Sequence, residues 1–102
     1  MILVQTVFQA KFGKAGELAG LVRDLQSRLG PELGFRNHWR VLTDLSGAFD
    51  TVVLEVEAAS LAEWEQLRPR LFAVPAFRES FARMAELTAS GSNAFWTIEG
   101  ES

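Results

Sequence analysis

The strongest constraint in this chain is a change of period. Between residues 14 and 29, apolar side chains stand at Ala15, Leu18, Val22, Leu25 and Leu29. Steps of three and four put them on one stripe of a helix. The run Thr51-Val52-Val53-Leu54-Glu55-Val56-Glu57 has no such stripe. It is rich in β-branched residues and reads as a strand. A chain carrying both patterns must lay helices on a sheet to bury either one.

The remaining segments fit between these two. Residues 2–12 are β-rich and lead to Gly13. Gly30-Pro31 is expected to stop the first helix. Residues 35–44 and 49–57 read as two strands of a hairpin around Leu45-Ser46-Gly47-Ala48. Ser60-Leu61-Ala62-Glu63 is a capping box that opens a short helix, and Pro69 ends or bends it. Pro75 suits the first turn of another helix. Phe77, Phe81, Met84 and Thr88 form that helix's stripe, with Gly91 as its stop. Residues 93–99 make a last strand, and Gly100-Glu101-Ser102 reads as frayed. The order β-α-β-β-α(α)-β is a doubled, split β-α-β. The fold expected is a single α+β, ferredoxin-like domain over residues 1–102: a four-stranded antiparallel sheet with its helices on one face.

The hairpin assigns the faces. Pairing Asp44 with Phe49 sets Trp39 opposite Leu54, Val41 opposite Val52 and Asn37 opposite Val56, an apolar side. The other side pairs Arg36 with Glu57, His38 with Glu55 and Arg40 with Val53. Opposite charges on neighbouring strands favour each other by a few tenths to about 1 kcal/mol. A face this rich in long side chains invites a second copy to pack against it.

Composition narrows the function classes. The 102 residues carry 10 Lys+Arg against 13 Asp+Glu, net −3, so no basic field exists for nucleic acid or anionic lipid. No cysteine is present, which removes disulfides and a thiolate nucleophile. Gln5, Thr6 and Gln9 interrupt the apolar start, so it does not read as a signal peptide or membrane span. The compartment expected is the cytoplasm, with neither nucleic acid nor membrane as partner. There is no Gly-rich phosphate loop, no G-x-S-x-G elbow and no metal-ligand cluster.

The run from Arg40 to Glu57, then Ser60-Leu-Ala-Glu-Trp-Glu65, Pro75-Ala-Phe77, Phe81, Met84 and Ser90-Gly91, resembles the small NIPSNAP-like proteins of the dimeric α+β barrel superfamily. The resemblance implies a homodimer whose two sheets close into a barrel. It also implies a pocket between each sheet and its helices or inside the barrel. That superfamily includes cofactor-free antibiotic-biosynthesis-type monooxygenases, haem-degrading monooxygenases and stress-responsive barrel proteins. The haem-degrading members use an Asn on the first strand, which this chain lacks, so no residue is carried over from them.

Several residues are candidates for chemistry, each with a plainer reading beside it. His38, the one histidine, can act as a general base, bind haem iron axially, or simply pair with Glu55. Arg36 and Arg40 flank it and can hold a carboxylate or enolate oxygen, or pair with Glu55 and Glu57. Glu55, in mid-strand, is the better acid–base candidate than Glu57 at the strand's end. Gln5 and Gln9 share one side of the first strand and either bind a polar ligand or bond across a dimer. Trp64 and Phe72 bracket the stretch from Arg68 to Pro75 and form a pocket rim or a dimer contact. Trp39, Phe77 and Phe81 read as helix–sheet core. Arg68, Arg70 and Arg78 read as solvated surface.

The function expected is a small-molecule-binding homodimer without a cofactor. It acts as a cofactor-independent monooxygenase or isomerase on an apolar, oxygenated ligand. His38, Glu55 and Arg40 form the catalytic set, and Gln5, Gln9, Arg36, Trp64 and Phe72 the binding set. The alternative is a non-enzymatic assembly or regulatory module whose polar sheet face only builds a dimer.

Overall fold

The computed structural model describes residues 1–32 and 38–102. Its elements are β1 (Ile2–Ala10), α1 (Ala15–Glu32), β2 (Trp39–Thr43), β3 (Thr51–Ala58), α2 (Leu61–Phe72), α3 (Pro75–Leu87) and β4 (Thr88–Thr97). The strands form one antiparallel sheet in the order β2-β3-β1-β4. Apart from the β2–β3 hairpin, neighbours in that order are not neighbours in sequence, because two β-α-β units are interleaved. This is the α+β, ferredoxin-like arrangement.

Alternation along the strands decides what is buried. Val4 and Ala10 of β1, with Val52, Val56 and Ala58 of β3, are buried on the helix side. Leu18, Val22, Leu25 and Leu29 of α1 are buried too, and with Val52, Met84 and Leu87 they belong to one core. Each such side chain contributes roughly 1.5–3 kcal/mol through burial. The opposite face carries Gln5, Gln9, Val53, Glu55 and Glu57, and among the described residues no helix covers it.

The hairpin register differs from the sequence expectation by two residues. Trp39 pairs with Val56, Arg40 with Glu55 and Val41 with Leu54. Asp44 meets Thr51, not Phe49, through Asp44 N–H to Thr51 O at 3.2 Å. A shift of two keeps every side chain on its expected face and changes only its partner. The cause is Asp50. It leaves the ladder with φ of 60° and turns its carboxylate to the start of α1. Its oxygens accept from Gly13 N–H (3.0 Å) and Ala15 N–H (3.4 Å). The loop therefore takes in Phe49 and Asp50, and Gln9 holds both of their carbonyls through its side-chain amide.

Three element ends also differ. Helix α1 continues through Gly30-Pro31 to Glu32. Helix α2 runs past Pro69 to Phe72, because Leu71 packs against the core and Ala73 N–H closes the last turn on Pro69 O. Strand β4 begins at Thr88, directly after α3. Thr88, expected in the helical stripe, instead caps it: its hydroxyl donates to Met84 O at 2.7 Å, and Lys11 N–H takes Leu87 O. With those carbonyls satisfied, no glycine stop is needed. Gly91 lies within β4 opposite Phe8, where a Cβ would stand 3.2 Å from Val7 O. The helix starts match expectation. Ser60 Oγ accepts from Glu63 N–H, Glu63 reaches back to Ala59 N–H, and Pro75 opens α3. Among the described residues, no helix is long and apolar enough to cross a membrane.

Candidate functional site

The uncovered face carries one hydrogen-bonded row across the sheet. Arg40 of β2, Glu55 of β3 and Gln5 of β1 stand side by side by register. Arg40 Nε donates to Glu55 Oε1 at 2.5 Å, and Gln5 Nε2 donates to Glu55 Oε2 at 2.9 Å. Trp96 Nε1 of β4 reaches Gln5 Oε1 at 3.4 Å. All four strands therefore contribute. Glu55 is 6% exposed, the one buried charged residue among those described. Both of its oxygens are bonded, as a buried carboxylate requires. The Arg40 side chain is 60% exposed, so its remaining donors face water.

Beside this row lies a concavity of about 300 Å³ lined by Leu3, His38, Arg40, Glu55, Glu57 and Ile98, among others. His38 is exposed, and its carbonyl accepts from Glu57 N–H at 3.0 Å. In the observed register it stands by Glu57, while Arg40 holds Glu55. The expected pairings of His38 with Glu55 and Arg40 with Val53 give way accordingly.

A second candidate site lies on the other side of the sheet. A cavity of about 210 Å³ sits between sheet and helices, its lining including Thr6, Phe8, Trp64, Phe72, Phe77 and Phe81. Phe72, Phe77 and Phe81 form one cluster. Phe72 meets the other two edge-on, with centroids at 5.1 and 5.5 Å, and Phe77 stacks on Phe81 at 5.9 Å. The register of Pro75 places Phe77 and Phe81 on one side of α3, and Arg78 Nη1 fixes the Phe72 carbonyl at 2.8 Å. Polar groups are few. Thr6 Oγ1 bonds Asn93 Oδ1 at 2.8 Å, and Gln26 and Arg68 complete the lining.

The expected site residues thus divide between two places. His38, Arg40, Glu55 and Gln5 gather on the open face; Trp64 and Phe72 line the cavity under the helices. The sheet separates the two groups. Gln9 belongs to neither, since its amide is spent on the Phe49 and Asp50 carbonyls and its Oε1 accepts from Thr51 Oγ1. Arg36 lies outside the described residues, as do Phe35 and the expected Asn37 and Arg36 pairings. Phe81, expected in the core, is 45% exposed at the cavity. Sequence reading missed Thr6, Asn93 and Arg68 as cavity residues and Trp96 as a member of the row. Strand alternation could have found both Asn93 and Trp96, since they lie in the expected strand 93–99 and fall on opposite faces, beside Thr6 and Leu3.

No family profile matches the sequence, and no curated protein matches it. Solved structures do. A NIPSNAP family protein from Agrobacterium tumefaciens aligns with TM-score 0.80 at 22% identity, covering 94% of this chain and 90% of that one. An uncharacterised NIPSNAP domain protein from Burkholderia xenovorans gives 0.78 at 20%, over 95% and 93%. An antibiotic biosynthesis monooxygenase gives 0.69 at 14%, over 95% and 97%. At these identities the likeness is one of fold.

Proposed function

We propose that this chain is a homodimer that holds a small, largely apolar, oxygen-bearing molecule between its sheet and its helices. The observation that carries this reading is the cavity bordered by the Phe72–Phe77–Phe81 cluster. An apolar hollow with a few convergent polar groups is the usual make-up of a small-molecule site. Trp64 and Phe72 hold the body of the ligand, and Thr6, Asn93 and Arg68 meet its oxygens. The uncovered sheet face supports the dimer: Trp96 and Leu42 are 55% and 41% exposed there, beside the ordered Arg40–Glu55–Gln5 row. A second copy laid sheet to sheet covers them. The compartment proposed is the cytoplasm.

Native mass spectrometry with a titration of anilinonaphthalene sulfonate tests both halves. The expected result is a dimer mass and saturable dye binding that Phe72→Ala weakens. A monomer mass removes the dimer. Dye binding that does not saturate removes the ligand site.

The concavity beside His38 favours a second reading, as a cofactor-independent monooxygenase or isomerase. There His38 or Glu55 takes a proton from the substrate, and Arg40 steadies the anion that forms. For an anthrone-type ketone, dioxygen is the oxidant, and a quinone and one water are the products. Oxygen uptake with such a ketone, lost in His38→Ala, is the expected sign of catalysis. Equal uptake by both His38→Ala and Glu55→Gln rejects it.

A further inference from the structure

A second hollow adjoins the cavity. It is a groove of about 290 Å³ at the junction of α3 and β4, lined by Phe8, Phe81, Met84, Ala85 and Gly91, among others. Phe8, Phe81 and Met84 line both hollows. Of these shared walls, Met84 is buried in the core and Phe8 is packed against it, whereas Phe81 is 45% exposed. Gly91 leaves the groove open. It faces Phe8 across the β1–β4 ladder and offers no side chain to fill the space. Arg68 lines the cavity but not the groove, and it makes no ion pair with a described side chain.

We propose that the cavity and the groove form one elongated site divided by the Phe81 ring. Its ligand is an unbranched alkyl or acyl chain with an anionic oxygen head. The head sits at Arg68, the chain runs along the phenylalanine cluster, and its far end passes Phe81 into the groove. Phe81 therefore sets the length of chain the protein accepts. This inference rests on the cavity reading above and adds the ligand's shape, its polarity and the residue that measures it. The chemistry is that of a guanidinium for a carboxylate at one end and of buried methylenes along the rest.

The test displaces anilinonaphthalene sulfonate with hexanoate, octanoate, dodecanoate and palmitate from the full chain, its Phe81→Ala variant and its Ala85→Phe variant. Ala85 is exposed on α3, so a larger side chain there fills the groove without entering the core. In the wild-type protein, affinity is expected to rise by up to about fourfold per added methylene until the site is filled. Phe81→Ala weakens hexanoate, which loses contact with the ring, and extends that rise to longer chains. Ala85→Phe ends the rise earlier and leaves hexanoate unchanged, because Ala85 lines the groove and not the cavity. Arg68→Gln weakens octanoate and not octanol. Parallel length profiles in the three proteins, with hexanoate still bound, overturn the groove and leave the cavity reading standing. If no chain displaces saturably bound dye from the wild-type protein, the elongated site falls and the cavity reading stands; absence of saturable dye binding removes both.

Discussion

Arg40 and Glu55 face each other on β2 and β3, and the guanidinium Nε donates to the carboxylate at 2.5 Å. The pair is unequal: the Glu55 side chain is 7% exposed and that of Arg40 60%. Loss of the arginine therefore leaves a buried acid with Gln5 as its remaining side-chain donor in the row. Arg40→Ala is expected to destabilise by about 1–3 kcal/mol, toward the lower end because water reaches the arginine. Replacing both residues with Met removes the charge that needs a partner and recovers much of the loss. Urea midpoints of the two variants test this. A wild-type midpoint for Arg40→Ala means that the pair adds nothing.

Asp50 does two things at once, and substitutions can part them. It caps α1 and holds a positive φ. Asp50→Asn keeps an oxygen for the cap and tolerates the backbone, so its unfolding midpoint stays close to wild type. Asp50→Ala loses the cap, at about 1 kcal/mol, and adds left-handed strain of about 1 kcal/mol more. Asp50→Gly loses the cap alone and falls between. If Ala and Gly destabilise equally, the backbone conformation carries no cost.

Leu18 is completely buried where α1 meets the sheet. Leu18→Ala is expected to cost about 2–5 kcal/mol and to lower Tm sharply. Phe81→Ala, at a half-exposed position, is expected to cost far less. Thermal melts of the two side by side separate a core position from a cavity wall.

Trp64 and Phe72 both border the cavity from α2. Removing either ring should weaken an apolar probe by about tenfold, the equivalent of about 1.4 kcal/mol of lost contact. Gln9→Ala should leave that affinity unchanged, because its amide serves the loop. Fluorescence titration compares the three. An equal loss in Gln9→Ala would point to general disturbance instead of a site.

Arg83 ties α3 to α1 by bonding Glu86 on its own helix and Glu17 across the gap. The hydrogen bond to Glu86, then that to Glu17, raises its pKa above the usual arginine value. A raised pKa gives stability that is present below the unfolded value and lost only as pH climbs through the folded one. That window is strongly alkaline, so this group adds no pH dependence around neutrality. Arg83→Gln should lower Tm slightly in dilute buffer, with the deficit shrinking in concentrated salt.

Much of the fold was legible in the sequence because periodicity and capping act locally. The α1 stripe, the β3 run, Ser60 and Pro75 all stand where their chemistry put them. The hairpin register was not legible, because it depends on Asp50 turning away to reach α1, which follows it nowhere in sequence. The start of β4 was hidden for a similar reason: Thr88 and Lys11 satisfy the last carbonyls of α3, a task sequence reading gave to Gly91. The candidate site was legible as residue types and not as a place. Glu55, Arg40 and Gln5 were recognised and do converge. Trp64 and Phe72 were recognised as well, but only the sheet's position reveals that they lie on its other side.

The direct passage from Leu87 to Thr88 bears on how the walls of the cavity are held. Helix α3 has no connector at its end; its last residue leads into a strand hydrogen-bonded along β1, and Arg83 braces it to α1. Displacing it would tear the edge of the sheet. Helix α2 hangs between two short links, Ala59-Ser60 and Ala73-Val74, and carries Trp64, Arg68 and Phe72. The cavity therefore has one wall continuous with the sheet, α3, and one joined to its neighbours through two-residue links, α2.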